Sequence, residues 1–232
     1  MSLEQQHPER PVKQQRQQMI VTASVIGVIG LAIVFVFIVL LNSEAPIPNG
    51  VDTAYADIPQ STTAESYGYL GDPEAPISIR VYSSFACVSC RDLAEDFDNL
   101  KRYMRNGQVS LEFVPIHSIG GLGADEGARA VVCAGEQGRF FEMHDVMFYW
   151  QGRENYRTAL MESAAEQLDL NVDQFMSCYE SRRAHDIVRQ ARLEFERLDF
   201  TGTPTVLVNG TRTNNPIGDV EALLQAQPET EE

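Results

Sequence analysis

"SSFACVSCRDL", residues 83–93, places Cys87 and Cys90 two residues apart, between an apolar strand-like run and a segment with helical spacing. A pair spaced this way can be a haem attachment, half a metal site, a structural bridge or a redox centre. Haem attachment needs His directly after the second cysteine, and Arg91 stands there. Structural zinc would draw on a second close pair, but Cys133 and Cys178 stand alone, and neither has a His three to five residues away. A purely structural bridge would close so short a loop that it would constrain the unfolded chain little, and it stays open as the bland alternative. The redox reading has a physical basis. A cysteine at the first turn of a helix faces unpaired N–H groups and the positive end of the helix dipole, and both favour a thiolate. On that reading Cys87 is the attacking thiol. Cys90, one turn deeper, resolves the mixed disulfide.

Outward from the pair, Ile77, Ile79 and Val81 alternate as in a strand. Leu93, Phe97, Leu100 and Met104 then recur at helical spacing up to Gly107, a helix stop. "QVSLEFVPI" reads as the next strand, which makes a βαβ unit with parallel strands. Residues from about 123 to 200 hold successive helical stretches and no convincing strand. In the last of them Ala184, Ile187, Val188, Ala191, Phe195 and Leu198 share a face. "TGTPTVLVNGTRTNN" follows, with a short strand, a tight turn at Asn209–Gly210 and a second strand. Residues 216–226 form a closing helix, and residues 227–232 are expected to be a disordered acidic tail.

Toward the amino terminus, Met19 to Leu41 is a stretch of 23 uncharged residues. As a helix it would rise about 34 Å, enough to cross a hydrocarbon core of about 30 Å. Arg10, Lys13 and Arg16 precede it, and no Lys or Arg follows until Arg80. The positive-inside tendency therefore keeps the amino terminus in the cytoplasm and exports the rest. "AYA" at residues 54–56 resembles a signal cleavage site, but the apolar run is too long and the site too distant for a cleaved signal peptide. Residues 42–67, rich in Pro, Ser, Thr, Ala and acids, read as a flexible tether without apolar periodicity. The organisation expected is a cytoplasmic tail at 1–18, an anchor at 19–41, the tether, and a folded domain at 68–226 with a helical insertion at about 118–200. The formal charge of −15 comes from beyond the anchor, where 31 acidic residues face 15 basic ones. That surface argues against nucleic acid and anionic lipid as partners.

Four motifs taken together resemble the DsbA-like branch of the thioredoxin superfamily. "FACVSC" after a strand resembles its active site, and "GTPT" followed by "VLVNG" resembles the loop carrying its cis-proline. "CAGEQGRFFEMHDVMF" and "FMSCYES" are similar to runs in its inserted helical domain. The resemblance covers residues 70–226. It implies an α/β thioredoxin-like fold with an inserted helical domain, here preceded by a single transmembrane helix. It also implies that Pro204 is the cis-proline and that Thr203, just before it, faces the cysteines and binds substrate backbone. On the residues alone, Pro204 could instead simply begin an edge strand. Cys133 and Cys178 are either inert buried thiols or, as the resemblance implies, a disulfide between two inserted helices. Such a bridge would contribute about 4 kcal/mol in the chain-entropy model. The chain departs from the pattern at two places. Val88–Ser89 lacks the Pro and His or Tyr often found between the cysteines, and Val81 occupies the position where relatives often carry a buried acid that helps to move the proton of the second thiol.

Other features carry less. A Cys–His hydrolase would need His117, His144 or His185 brought to Cys87, and nothing else of that chemistry is present. His144 and His185 read as solvated or supporting residues. Phe140, Phe141, Met147, Phe148, Tyr149 and Trp150 read as core packing at helical spacing. The expectation is an extracytoplasmic thiol-disulfide oxidoreductase of a bacterial cytoplasmic membrane. It would introduce disulfides into reduced or unfolded exported proteins at Cys87 and Cys90, without a bound cofactor or metal. By resemblance, a quinone-linked membrane partner of the DsbB or vitamin K epoxide reductase type would reoxidise it. Two alternatives stand beside this reading: a reductase or isomerase using the same site, and a non-catalytic membrane-tethered binding module with structural cysteines.

Overall fold

The computed structural model describes residues 12–41, 45–117, 119, 121, 123–154 and 156–226. Most of the expected amino-terminal tail (1–11) and the expected acidic tail (227–232) lie outside the described residues. Two compact units result, residues 1–44 and 45–232. The first contains one helix, α1 (Val12–Leu41), which starts seven residues ahead of the expected span. Its segment Met19–Val36 has a mean hydropathy of 2.7 and is long and apolar enough to cross a membrane.

The second unit is built on a six-stranded sheet. β1 (Gln60–Thr62) and β2 (Gly68–Leu70) precede β3 (Ile77–Ser83). α2 (Val88–Phe97), a 3-10 turn (Asp98–Leu100) and α3 (Lys101–Arg105) then lead into β4 (Val109–Pro115). β3 and β4 pair in parallel from Ile77↔Val109 to Ser83↔Pro115, as a βαβ unit requires. Five helices follow: α4 (Ala124–Gly135), α5 (Phe140–Trp150), α6 (Thr158–Gln167), α7 (Val172–Tyr179) and α8 (Arg182–Arg197). The chain closes with β5 (Thr205–Val208), β6 (Thr211–Thr213) and α9 (Pro216–Ala226). Strand order is β1-β2-β4-β3-β5-β6, and β5 runs antiparallel to β3. Asn209 and Gly210, with φ of 47° and 76°, supply the left-handed pair that a two-residue hairpin turn demands.

β3 and β4, the central strands, are buried almost throughout because helices cover both faces. On one face Tyr82 and Val114 pack with Ala191 and Phe195 of α8. On the other, Ile79, Val81, Leu111 and Phe113 join the core formed with α2 and the inserted helices. α4 passes so close to the end of β3 that a Cβ at Gly127 would lie 2.7 Å from the Phe85 side chain. Only a residue without a side chain fits there.

Two readings of the sequence need correction. Residues 45–67 are not a free tether. Val51, Tyr55 and Ile58 are buried in the main core, and β1 lies within this stretch. Trp150 Nε1 donates to Pro46 O at 2.8 Å, and Gln167 Nε2 to Ala45 O at 3.1 Å. The cause is an apolar spacing of four and three residues among the Pro, Ser, Thr and acids, read as absent above; successive turns place those side chains on one face. Leu198 does not join the buried face of α8 but is 45% exposed, because the helix ends at Arg197.

Candidate functional site

Cys87 is the N-cap of α2, with extended backbone (φ −97°, ψ 118°) and no side-chain capping bond. The first turn closes on it: Cys90 N and Arg91 N donate to Cys87 O at 3.1 and 3.3 Å. This is the position at which the open N–H groups of a helix favour an anion. Cys87 is half-buried, whereas Cys90 is 1% exposed, and both are free thiols. The Cys87 Sγ–H donates to Thr203 O at 3.2 Å. The Thr203–Pro204 peptide bond is cis. The four residues named for the site thus meet where α2 begins and β5 starts.

Cys90 sits in a different environment. Burial pushes its thiol up to about 12; the Ser83 hydroxyl, the Ser84 N–H and the Thr203 hydroxyl oppose that shift, and the adjacent Cys87 thiol adds to it. The Ser84 N–H lies 3.4 Å from Cys90 Sγ. Val81, next to Ser83 on the same face of β3, contributes only hydrocarbon to the space under Cys90. The pair is therefore asymmetric: one thiol is presented at the surface, and the other is held protonated beneath it.

Several supporting residues carried no sequence signal. Gln151 follows α5 and donates through Nε2 to Phe85 O at 2.8 Å and to Cys87 O at 3.0 Å, tying the inserted helices to the loop that presents Cys87. The Ser84 Oγ–H donates to Ile119 O and also accepts from Ala86 N. Apart from the Ala86 bond, these join positions more than thirty residues apart, which no local pattern encodes. Of the two roles expected for His144, solvated or supporting, its burial excludes the first: it is 7% exposed, with its ring 4.6 Å from that of Phe113.

The surface around Cys87 is open. Val88 is 57% exposed and lines a groove with Phe85, Gly123, Glu126, Glu154 and Tyr156. A second groove includes Arg91 of α2 with Tyr149 and Arg153. Away from the site, Cys133 of α4 and Cys178 of α7 form a disulfide with Cα atoms 5.7 Å apart. Among the described residues no three His, Cys, Asp or Glu side chains cluster as metal ligands would.

Comparison with known proteins agrees with this architecture. The family described as Thioredoxin matches residues 63–226. A "Na(+)/H(+) antiporter NhaA 1" of Salinispora arenicola is 30% identical over 184 residues, covering 76% of this chain and 26% of that protein. A match this long cannot lie outside residues 63–226, and the chain spans only about a quarter of the length of such antiporters. A "Probable disulfide bond formation protein D" of Bacillus anthracis is 28% identical, covering 62% of this chain and 70% of that protein. In three dimensions, BdbD of Bacillus subtilis superposes with a TM-score of 0.62 at 18% identity, covering 72% of this chain and 97% of the other. The chain belongs to the thioredoxin family, and its fold is that of the family's DsbA-like thiol-disulfide oxidoreductases.

Proposed function

We propose that this chain is a membrane-anchored thiol-disulfide oxidoreductase that introduces disulfides into exported proteins. The observation that carries the reading is the asymmetry of the pair: Cys87 half-buried at a helix N-cap, Cys90 fully buried behind it. In the oxidised enzyme a client thiolate attacks Cys87 Sγ, the Cys87–Cys90 bond breaks, and its electron pair goes to Cys90. A second client thiolate then attacks the client sulfur of the mixed disulfide, and Cys87 leaves as a thiolate. The Thr203 carbonyl, which accepts from Cys87 in the dithiol form, is freed by oxidation to accept from the backbone N–H of an extended client segment.

The charges before the apolar helix and the acidic surface of the remainder support an arrangement with the domain outside the cytoplasmic membrane. The reduced pair then needs an oxidant, and a quinone-linked membrane protein fits an anchored donor. The relative from Bacillus anthracis, named for disulfide bond formation, supports the same chemistry. Oxidation of a reduced client by the full chain and by Cys87→Ser tests the proposal, and undiminished activity of the variant would refute it. Direction is tested by the potential of the pair. A value near about −120 mV is expected, and one near about −270 mV would make the protein a reductase.

A further inference from the structure

With hydrocarbon at Val81, no carboxyl of β3 is at hand to move the Cys90 proton, yet Cys90 is not sealed in hydrocarbon. Cys90 and His144 of α5 line one cavity together with Val81, Ser83 and Phe113. The space open to the centre of a water molecule is about 20 Å³, enough for one ordered water. The His144 Nδ1–H donates to Asp145 Oδ1 at 2.9 Å. That bond fixes the tautomer and leaves the Nε2 lone pair as the basic site of the ring. Asp145 is itself held: the Tyr55 hydroxyl lies 2.8 Å from both of its oxygens, and Lys101 Nζ 3.9 Å from Oδ2.

We propose that His144 exchanges the Cys90 proton through a water in this cavity, with Asp145 as the positioning residue that orients the ring. This rests on the thiol-disulfide exchange proposed above and assigns the residue that takes over from the missing buried acid. In the oxidising direction the client sulfur bonds to Cys87 Sγ as the Cys87–Cys90 bond breaks. The Cys90 thiolate takes a proton from the water, and the His144 imidazolium replaces that proton, ending neutral. In reverse, neutral His144 accepts the Cys90 proton through the water. The thiolate attacks Cys87 Sγ of the mixed disulfide, and the client leaves as a thiolate. The need for such a group follows from the raised affinity of Cys90 for its proton. The titratable groups that line the cavity with His144 are Cys90 of α2, Asp98 of the 3-10 turn, Lys101 of α3 and Tyr55 of the amino-terminal segment; on its own helix Asp145 binds the ring, and Glu142 acts on Tyr55. β3 and β4 add only Val81, Ser83, Leu111 and Phe113.

The test follows the reaction of the reduced full-length protein in detergent with 5,5′-dithiobis(2-nitrobenzoate), which releases one thionitrobenzoate as Cys87 attacks and a second as Cys90 resolves. His144→Gln should slow the second release by about 100-fold, flatten its dependence on pH, and leave the first release within a factor of about two. Adding Val81→Asp to that variant should restore at least a tenth of the lost rate. An unchanged second release, or a slow one that Val81→Asp does not restore, would overturn the relay. No two-step release from the unsubstituted protein would instead overturn the exchange reaction itself. If His144→Gln does not fold, nuclear magnetic resonance titration of the His144 ring in the native protein decides. Its midpoint should differ between dithiol and disulfide forms, and identical midpoints would overturn the proposal.

Discussion

Cys87 donates its thiol hydrogen to the carbonyl oxygen of Thr203, 116 residues further along the chain. The contact joins the start of α2 to the loop ahead of β5, so the strand order that sets β5 beside β3 also assembles the surface at which a client sulfur would arrive.

The division of labour between the two thiols predicts a trap. Reduced Cys90→Ser, mixed with a disulfide-containing client, should accumulate a covalent Cys87–client adduct because the resolving sulfur is gone. Non-reducing electrophoresis will show the adduct and its loss on adding dithiothreitol. Rapid turnover without an adduct would contradict the assignment of roles.

Gln151 binds the carbonyl of Phe85, which is buried where α5 meets the redox loop. Gln151→Leu removes the donor and leaves that oxygen unpaired, at an expected cost of about 1–3 kcal/mol. Urea unfolding monitored by circular dichroism measures the loss, and the rate at which Cys87 reacts with a small disulfide should fall in parallel.

Cys133 and Cys178 close a loop with a sequence separation of 45. Replacing both with Ala should lower stability by about 4 kcal/mol through the unfolded chain while leaving Cys87 reactive. Guanidinium unfolding of the two proteins, with a Cys87 alkylation assay beside it, checks both halves of that expectation.

The pH dependence has a definite sign. Because folding raises the Cys90 pKa to about 12, the native state holds this proton more tightly than the unfolded chain does. The stability this provides is complete below the ordinary thiol range of about 8.5 and is lost progressively as pH rises toward 12. Reduced native protein should therefore lose part of its stability advantage over Cys90→Ala between pH 8 and pH 10 in urea titrations. A constant difference across that range would show that Cys90 titrates normally.

What the sequence showed, and what it hid, follows from how far each feature reaches along the chain. The strand before Cys87, the helix after it and the hairpin at Asn209–Gly210 are written in consecutive residues, where periodicity and turn chemistry act. Gln151 and His144 take their places from the packing of α5 against the sheet, so their meaning arises only in three dimensions. Val51, Tyr55 and Ile58 had a readable spacing, but it was masked by neighbours of a composition typical of linkers. Val81 was noticed as an absence, and the cavity lined by His144 supplies the chemistry missing there.

The buried segment ahead of β1 changes what proteolytic release would do. A peptidase cutting after Ala56 would detach Val51 and Tyr55 along with the apolar amino-terminal helix, opening a hole in the core and removing the hydroxyl that steadies Asp145. Shedding the domain into solution and preserving its chemistry are thus incompatible at that bond. Only a chain that keeps residues 45–56 retains the complete core.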